Sequence, residues 1–117
     1  MERREEIRSR ADVIRLLGDK TEFERAVLVA TYEIPRGRVS TYGRIAERVG
    51  RPRAYRAAGN ALSRNPLAPV VPCHRVVRSD GRLGGPEGDA EKRRRLLEEE
   101  GIRFRQGRIE LRREILF

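Results

Sequence analysis

The only cysteine and the only histidine of the chain are neighbours, Cys73 and His74, within the run Val70-Val71-Pro72-Cys73-His74-Arg75-Val76-Val77. A thiol reacts as its thiolate, so a nucleophilic cysteine needs a base or a positive field beside it. His74, Arg75 and a strongly basic chain supply both. Neighbours on an extended segment point to opposite faces, so thiol and imidazole meet only through a bend or an intervening water. Pro72 favours a bend. The competing reading takes Cys73 as a small buried residue and His74 as a hydrogen-bonded one, because inert buried cysteines are common.

One cysteine excludes an internal disulfide, and one cysteine with one histidine makes no zinc cage, so no metal site is expected. A chain of 117 residues carrying a formal charge of +9 holds one modest core and is suited to a polyanionic partner, nucleic acid first. The cations are arginines except for Lys20 and Lys92. Arginine suits phosphates and base edges through its planar fork, although genome composition produces the same bias. No apolar run of membrane-spanning length and no leader pattern is present, and no basic amphipathic segment carries bulky aromatics. The expectation is a soluble intracellular protein with no membrane partner.

The elements that must position Cys73 and His74 read as mainly α with small β pieces in a single domain. Met1 to Leu17 is charged and free of Gly and Pro, with Ile7, Ala11, Ile14 and Leu17 spaced as one helical face and Arg3, Arg4, Glu5 and Glu6 on a solvated one. Residues 1–20 form a helical extension and 21–117 the domain proper. Thr21 and Glu24 make a capping-box pattern for a helix to about Glu33, with Phe23, Val27, Ala30 and Thr31 on its inner face. After Pro35-Arg36-Gly37, Ser40 or Thr41 caps a helix from about Tyr42 to Val49, with Ile45, Ala46 and Val49 inward. A second runs from about Ala54 to Ser63, ending before Asn65-Pro66. Val76 and Val77 read as strand, Ser79-Asp80-Gly81 as a turn, and Arg82 to Gly88 as a loop fit to wall a pocket. A last helix runs from a cap at Asp89 to about Glu99, burying Leu96 and Leu97. Ile102 to Leu111 alternates about Gln106-Gly107 as a C-terminal β-hairpin.

Helix, short glycine-containing turn, helix is the outline of a helix-turn-helix, here winged-helix-like with the hairpin. Its second helix, Ala54-Tyr55-Arg56-Ala57-Ala58-Gly59-Asn60-Ala61-Leu62-Ser63, sets one long cation among small residues. Small side chains let a helix approach a surface at backbone distance, as a minor groove requires, while Arg56 can enter a base stack. Packing on a protein core explains the same residues. Gly59 costs about 1 kcal/mol relative to alanine inside a helix, which calls for some close approach in compensation.

Pro72-Cys73-His74-Arg75-Val76, preceded by Asn65-Pro66, by the helix bearing Arg56 and by Ser40-Thr41-Tyr42-Gly43, resembles the C-terminal domain of O6-alkylguanine-DNA alkyltransferases from about Phe23 to Gly101. The resemblance implies that a damaged guanine is flipped from duplex DNA and that Cys73 takes its alkyl group in one irreversible displacement, without a cofactor. It implies that His74 deprotonates Cys73 through a water, that Glu100 orients His74, and that Tyr42 donates to the departing guanine. Asn65 would brace the turn to the active site, and Arg56 would replace the flipped base. Thr41, Ala57, Gly59 and Asn60 would lie against the DNA, and the backbone around Val76 would read the guanine edge. Pro86 and Glu87 would wall the pocket where the family has an aromatic residue and a glycine pair, a departure that changes which alkyl groups fit.

Two other readings stay open. The short chain, with only Met1 to about Glu22 before the match, also resembles the alkyltransferase-like proteins, which bind such lesions without repairing them and pass them to nucleotide excision repair proteins. Those typically carry tryptophan or alanine at the cysteine position, so Cys73 favours transfer. A helix-turn-helix protein without chemistry would bind undamaged duplex with a steep salt dependence. The expected protein is a monomer in the cytoplasm, associated with the nucleoid.

Overall fold

The structure, a computed structural model, describes residues 7–84 and 90–117. The charged face at Arg3 to Glu6, the pocket residues Pro86 and Glu87 and the cap Asp89 lie outside the described residues. In chain order come α1 (Arg10–Leu16), α2 (Glu22–Tyr32), β1 (Ser40–Thr41), α3 (Tyr42–Arg48) and α4 (Tyr55–Ser63). A 3-10 turn (Cys73–Arg75), β2 (Val76–Val77), α5 (Ala90–Glu99), β3 (Phe104–Arg105) and β4 (Arg108–Ile109) follow. Among the described residues no helix is long and apolar enough to cross a membrane.

The first helix starts later than its composition indicates. Ser9 caps it, its hydroxyl accepting from the Asp12 amide, while the Asp12 carboxylate accepts from the Arg8 amide at 2.9 Å, so Ile7 to Ser9 are not helical. Its buried positions also differ: Val13 and Leu17 are fully buried, whereas Ala11 is exposed and Ile14 is 45% exposed. Starting the helix at Arg10 makes Val13 and Leu17, one turn apart, the pair that meets α2. The α2 capping box forms as expected, with Thr21 Oγ1 accepting from the Glu24 amide and Glu24 from the Thr21 amide. Val27 and Thr31 are buried with Leu28 and Val29, while Phe23 and Ala30 are half-buried.

Helices α3 and α4 form the helix-turn-helix and pack on each other and on α2. Thr41, rather than Ser40, caps α3, its hydroxyl accepting from the Arg44 amide at 3.1 Å. Ile45 and Ala46 are fully buried and Val49 half-buried; sinking an isoleucine such as Ile45 is worth about 2 kcal/mol. In α5 Leu97 is fully buried but Leu96 only half, because one turn of this charged helix presents a single residue squarely to the core. Gln106 and Gly107 both have positive φ, the type I′ geometry that matches the twist of a two-residue hairpin.

Two apolar cores result. One gathers α1 to α4 with Leu67, Val71 and Val76; the other gathers Val39, Val77, Leu97, Ile102 and Ile109. Between them β1 and β2 pair in parallel, Ser40 with Val76 and Thr41 with Val77, so that successive valines of β2 face opposite cores. Cys73 to Arg75 lie at this seam.

Candidate functional site

The segment that holds Cys73 and His74 is fixed by hydrogen bonds that begin at the end of α4. Asn65 Nδ2 donates to the Val71 carbonyl at 2.8 Å, and Asn65 Oδ1 accepts from the Leu67 amide at 2.9 Å. The same Val71 carbonyl accepts from the Cys73 amide, and the Pro72 carbonyl from the Arg75 amide, which winds Cys73–Arg75 into its 3-10 turn. With three residues per turn, Cys73, His74 and Arg75 leave the backbone in three directions about 120° apart. Cys73 is partly exposed, His74 is buried, and Arg75 turns inward.

His74 and Arg75 meet on one carboxylate. His74 Nε2 lies 2.9 Å from Glu100 Oε2, while Arg75 donates from Nε to Oε1 at 2.8 Å and from Nη2 to Oε2 at 2.9 Å. Arg75 Nη1 also donates to the Ile34 carbonyl at 2.7 Å, tying the cluster to the end of α2. The Glu100 side chain is only 6% exposed. Burial by itself pushes Glu100 up, but the hydrogen bonds of Arg75 and His74, and then their charges, overcome it and hold the carboxyl at about 2. An ionised carboxylate only accepts, so His74 Nε2 carries the hydrogen, and in the neutral ring Nδ1 keeps a lone pair that can take a proton. Arg75, which in the sequence reads as a charge beside the thiol, is engaged with Glu100 instead. Nothing local in the sequence signals a pairing across that distance.

Tyr42 reaches the site through the β1–β2 register, which sets the first residue of α3 beside the residue after Val77. Its ring lies between two glycines: a Cβ on Gly59 of α4 would sit 3.7 Å from Tyr42 Cδ1, and one on Gly84 only 2.5 Å from its hydroxyl. Any side chain at 84 would therefore displace the phenol. Burial pushes the Tyr42 phenol up, with nearby Cys73 adding to the rise and the charges of Arg93 and Arg78 opposing it. The ring stays protonated at neutral pH and able to donate. Gly84 is a site residue that the sequence reading missed, hidden among the glycines of an unpatterned loop.

On α4, Arg56, Ala57 and Asn60 are exposed together with Tyr55, while Ala58, Ala61 and Leu62 face the core. Gly59 lies between the two faces, against Tyr42. Thr41 does not share the exposed face: it is 7% exposed and its hydroxyl caps α3. Val76 is buried in β2. Among the described residues no group of His, Cys, Asp and Glu is arranged to hold a metal ion.

Residues 22–102 match the family model described as 6-O-methylguanine DNA methyltransferase, DNA binding domain. The methylated-DNA–protein-cysteine methyltransferase of Methanothermobacter thermautotrophicus is 49% identical over 85 residues, 73% of this chain and 47% of that protein. The chain spans about half the length of the curated relatives it matches. Among solved structures, the Mycobacterium tuberculosis O6-methylguanine methyltransferase superposes with a TM-score of 0.66 at 44% identity, covering 69% of this chain and 49% of that one. S. pombe Atl1, in complex with damaged DNA containing O6-carboxymethylguanine, gives 0.72 at 37% identity over 82% of this chain and 94% of its own. Cysteine, histidine, carboxylate and tyrosine gathered beside a helix-turn-helix, with a family model matched over most of the length, lead to one conclusion: this chain belongs to the 6-O-methylguanine DNA methyltransferase family, through its DNA binding domain.

Proposed function

We propose that the protein repairs duplex DNA by taking the alkyl group of O6-alkylguanine onto Cys73, once per molecule. The observation that carries this is the 3-10 turn that leaves Cys73 partly exposed while burying its neighbour His74, whose Nε2 is held by Glu100 at 2.9 Å. Helix α4 enters the minor groove on its exposed face, with Ala57, Gly59 and Asn60 against the strand and Arg56 in the stack where the flipped guanine was. Thr41 contributes by capping α3. His74 Nδ1 accepts the thiol proton through a water, and the Cys73 sulfur attacks the alkyl carbon. A C–S bond forms, the C–O6 bond breaks, and its electron pair stays on the guanine, which Tyr42 meets with a hydrogen bond or proton. Asn65 keeps the turn in register with α4, and the backbone at Val76 reads the base edge. A thioether is a poor leaving group, so the protein is consumed, and the chemistry uses no cofactor.

The test is Cys73→Ser assayed on a duplex with a radiolabelled O6-methyl group. Transfer of label to protein is abolished while lesion binding stays within a few fold of the unaltered chain. Residual transfer in this variant refutes Cys73 as the acceptor.

A second reading is favoured by the likeness to S. pombe Atl1, whose complex with damaged DNA superposes with a TM-score of 0.72 at 37% identity. In it the protein binds the lesion without accepting the alkyl group and passes it to nucleotide excision repair proteins. Preferential lesion binding with no label transferred selects it.

A further inference from the structure

Residues 103–117 lie beyond the part matched to the family, yet the hairpin they form is locked to the lip of the candidate site. The Ile109 amide donates to the Gly81 carbonyl at 2.9 Å, and Gly81 has positive φ and lies so close to Ile109 that a Cβ there would overlap the Ile109 carbonyl oxygen. Gly81 itself closes the turn 78–82, in which its amide donates to the Arg78 carbonyl and the Arg78 amide to the Arg82 carbonyl. This turn leaves β2 directly beside Tyr42 and the chain returns to Tyr42 at Gly84. The lip therefore flanks the same phenol ring that Gly59 of α4 flanks from the other side.

The lip is cationic. Arg78 and Arg82 are 57% and 54% exposed and reach the shared Asp80 carboxylate at 4.0 and 3.9 Å, a loose pairing in which one anion serves two cations. The hydrogen bond of Ile109 to Gly81 sets its exposed neighbour Arg108 beside this turn, and Asp80 is held below its ordinary value first by the Arg82 amide and, against its desolvation, by the charges of Arg78, Arg82 and Arg108. Three arginines around one aspartate leave a net positive patch with its guanidinium groups in solvent, suited to phosphates through their planar forks.

We infer that Arg78, Arg82 and Arg108 form a second DNA-binding surface, which grips backbone phosphates of the strand feeding Tyr42 and Cys73 while α4 occupies the groove. This rests on the reading of the chain as a DNA-binding protein. The surface adds affinity for any duplex and reads no base, because it offers only charge to a uniform backbone.

The experiment measures duplex affinity against salt for the full chain and for the double substitution Arg82→Gln/Arg108→Gln. Arg10→Gln/Arg15→Gln on α1, which removes equal charge elsewhere, serves as control. Each phosphate contact contributes a slope of about 0.9 in log K against log salt. The lip variant is expected to lose roughly tenfold in affinity at moderate salt for intact and lesion duplexes alike, with a slope shallower by about 2, while the control keeps its slope. An unchanged slope in the lip variant, or an equal loss in the α1 control, overturns the inference. If the unaltered chain binds neither duplex, the DNA reading falls with it.

Discussion

At His74 the position of one proton decides what the thiol can do. Glu100 fixes that proton on Nε2 only while it is ionised, and Arg75 keeps it ionised by taking both carboxylate oxygens. The folded carboxyl titrates at about 2, below its ordinary 4.5, so its pairing stabilises the native state fully above about pH 4.5 and loses that contribution as pH falls from 4.5 through 2. The contribution is on the order of 3 kcal/mol. Glu100→Gln is therefore expected to lower stability at neutral pH by about that amount and to flatten the acid limb of stability against pH, measured by denaturant midpoints between pH 2 and 5. Parallel acid limbs in the two proteins would show that the pairing contributes nothing.

At the scale of elements, α4 carries a residue that its own protein does not need. A Cβ on Gly59 would meet only ordinary van der Waals contact with the Tyr42 ring, so the helix tolerates alanine there and gains up to about 1 kcal/mol by it. A glycine at that cost fits the proposed close approach of α4 to DNA on its exposed side. Gly59→Ala is expected to raise the melting temperature and to weaken duplex binding several-fold; unimpaired binding would remove Gly59 from the interface.

The capped helices, the helix-turn-helix and the Gln106-Gly107 hairpin were legible because each is written in local spacing. The start of α1 was misjudged, since Ser9 and Asp12 cap it within a run that charge and periodicity extend to Met1. Three things rest on contacts between distant residues and left no local signal: the parallel pairing of β1 with β2, the turn of Arg75 toward Glu100, and the packing of Gly84 on Tyr42. The adjacency of Cys73 and His74 was plain in the sequence. That a 3-10 turn sends the two side chains apart was not, while the pairing of His74 with Glu100 was expected from the family resemblance and not from local spacing.

At the scale of the molecule, two small cores joined by a two-residue parallel pair bring together residues from opposite ends of the chain. Tyr42 arrives from the helix-turn-helix side, Glu100 from the end of α5, and Cys73 sits where the two meet. Arg44 Nε donates to the Phe117 carbonyl at 2.9 Å and the Arg48 guanidinium stacks 3.9 Å from the Phe117 ring, so the last residue, packed on the first core, clasps α3. This arrangement sets the thiol of Cys73 beside the helix-turn-helix, and the proposed transfer stands on that thiol ending the encounter alkylated. Intact mass of the protein after incubation with a duplex containing one O6-methylguanine tests it most directly. The expected result is a gain of one methylene, about 14 mass units, localised to the peptide holding Cys73, because a methyl replaces the thiol hydrogen in the transfer. An unchanged mass while the lesion duplex is bound in preference to intact DNA would contradict it and leave a lesion sensor that carries a cysteine.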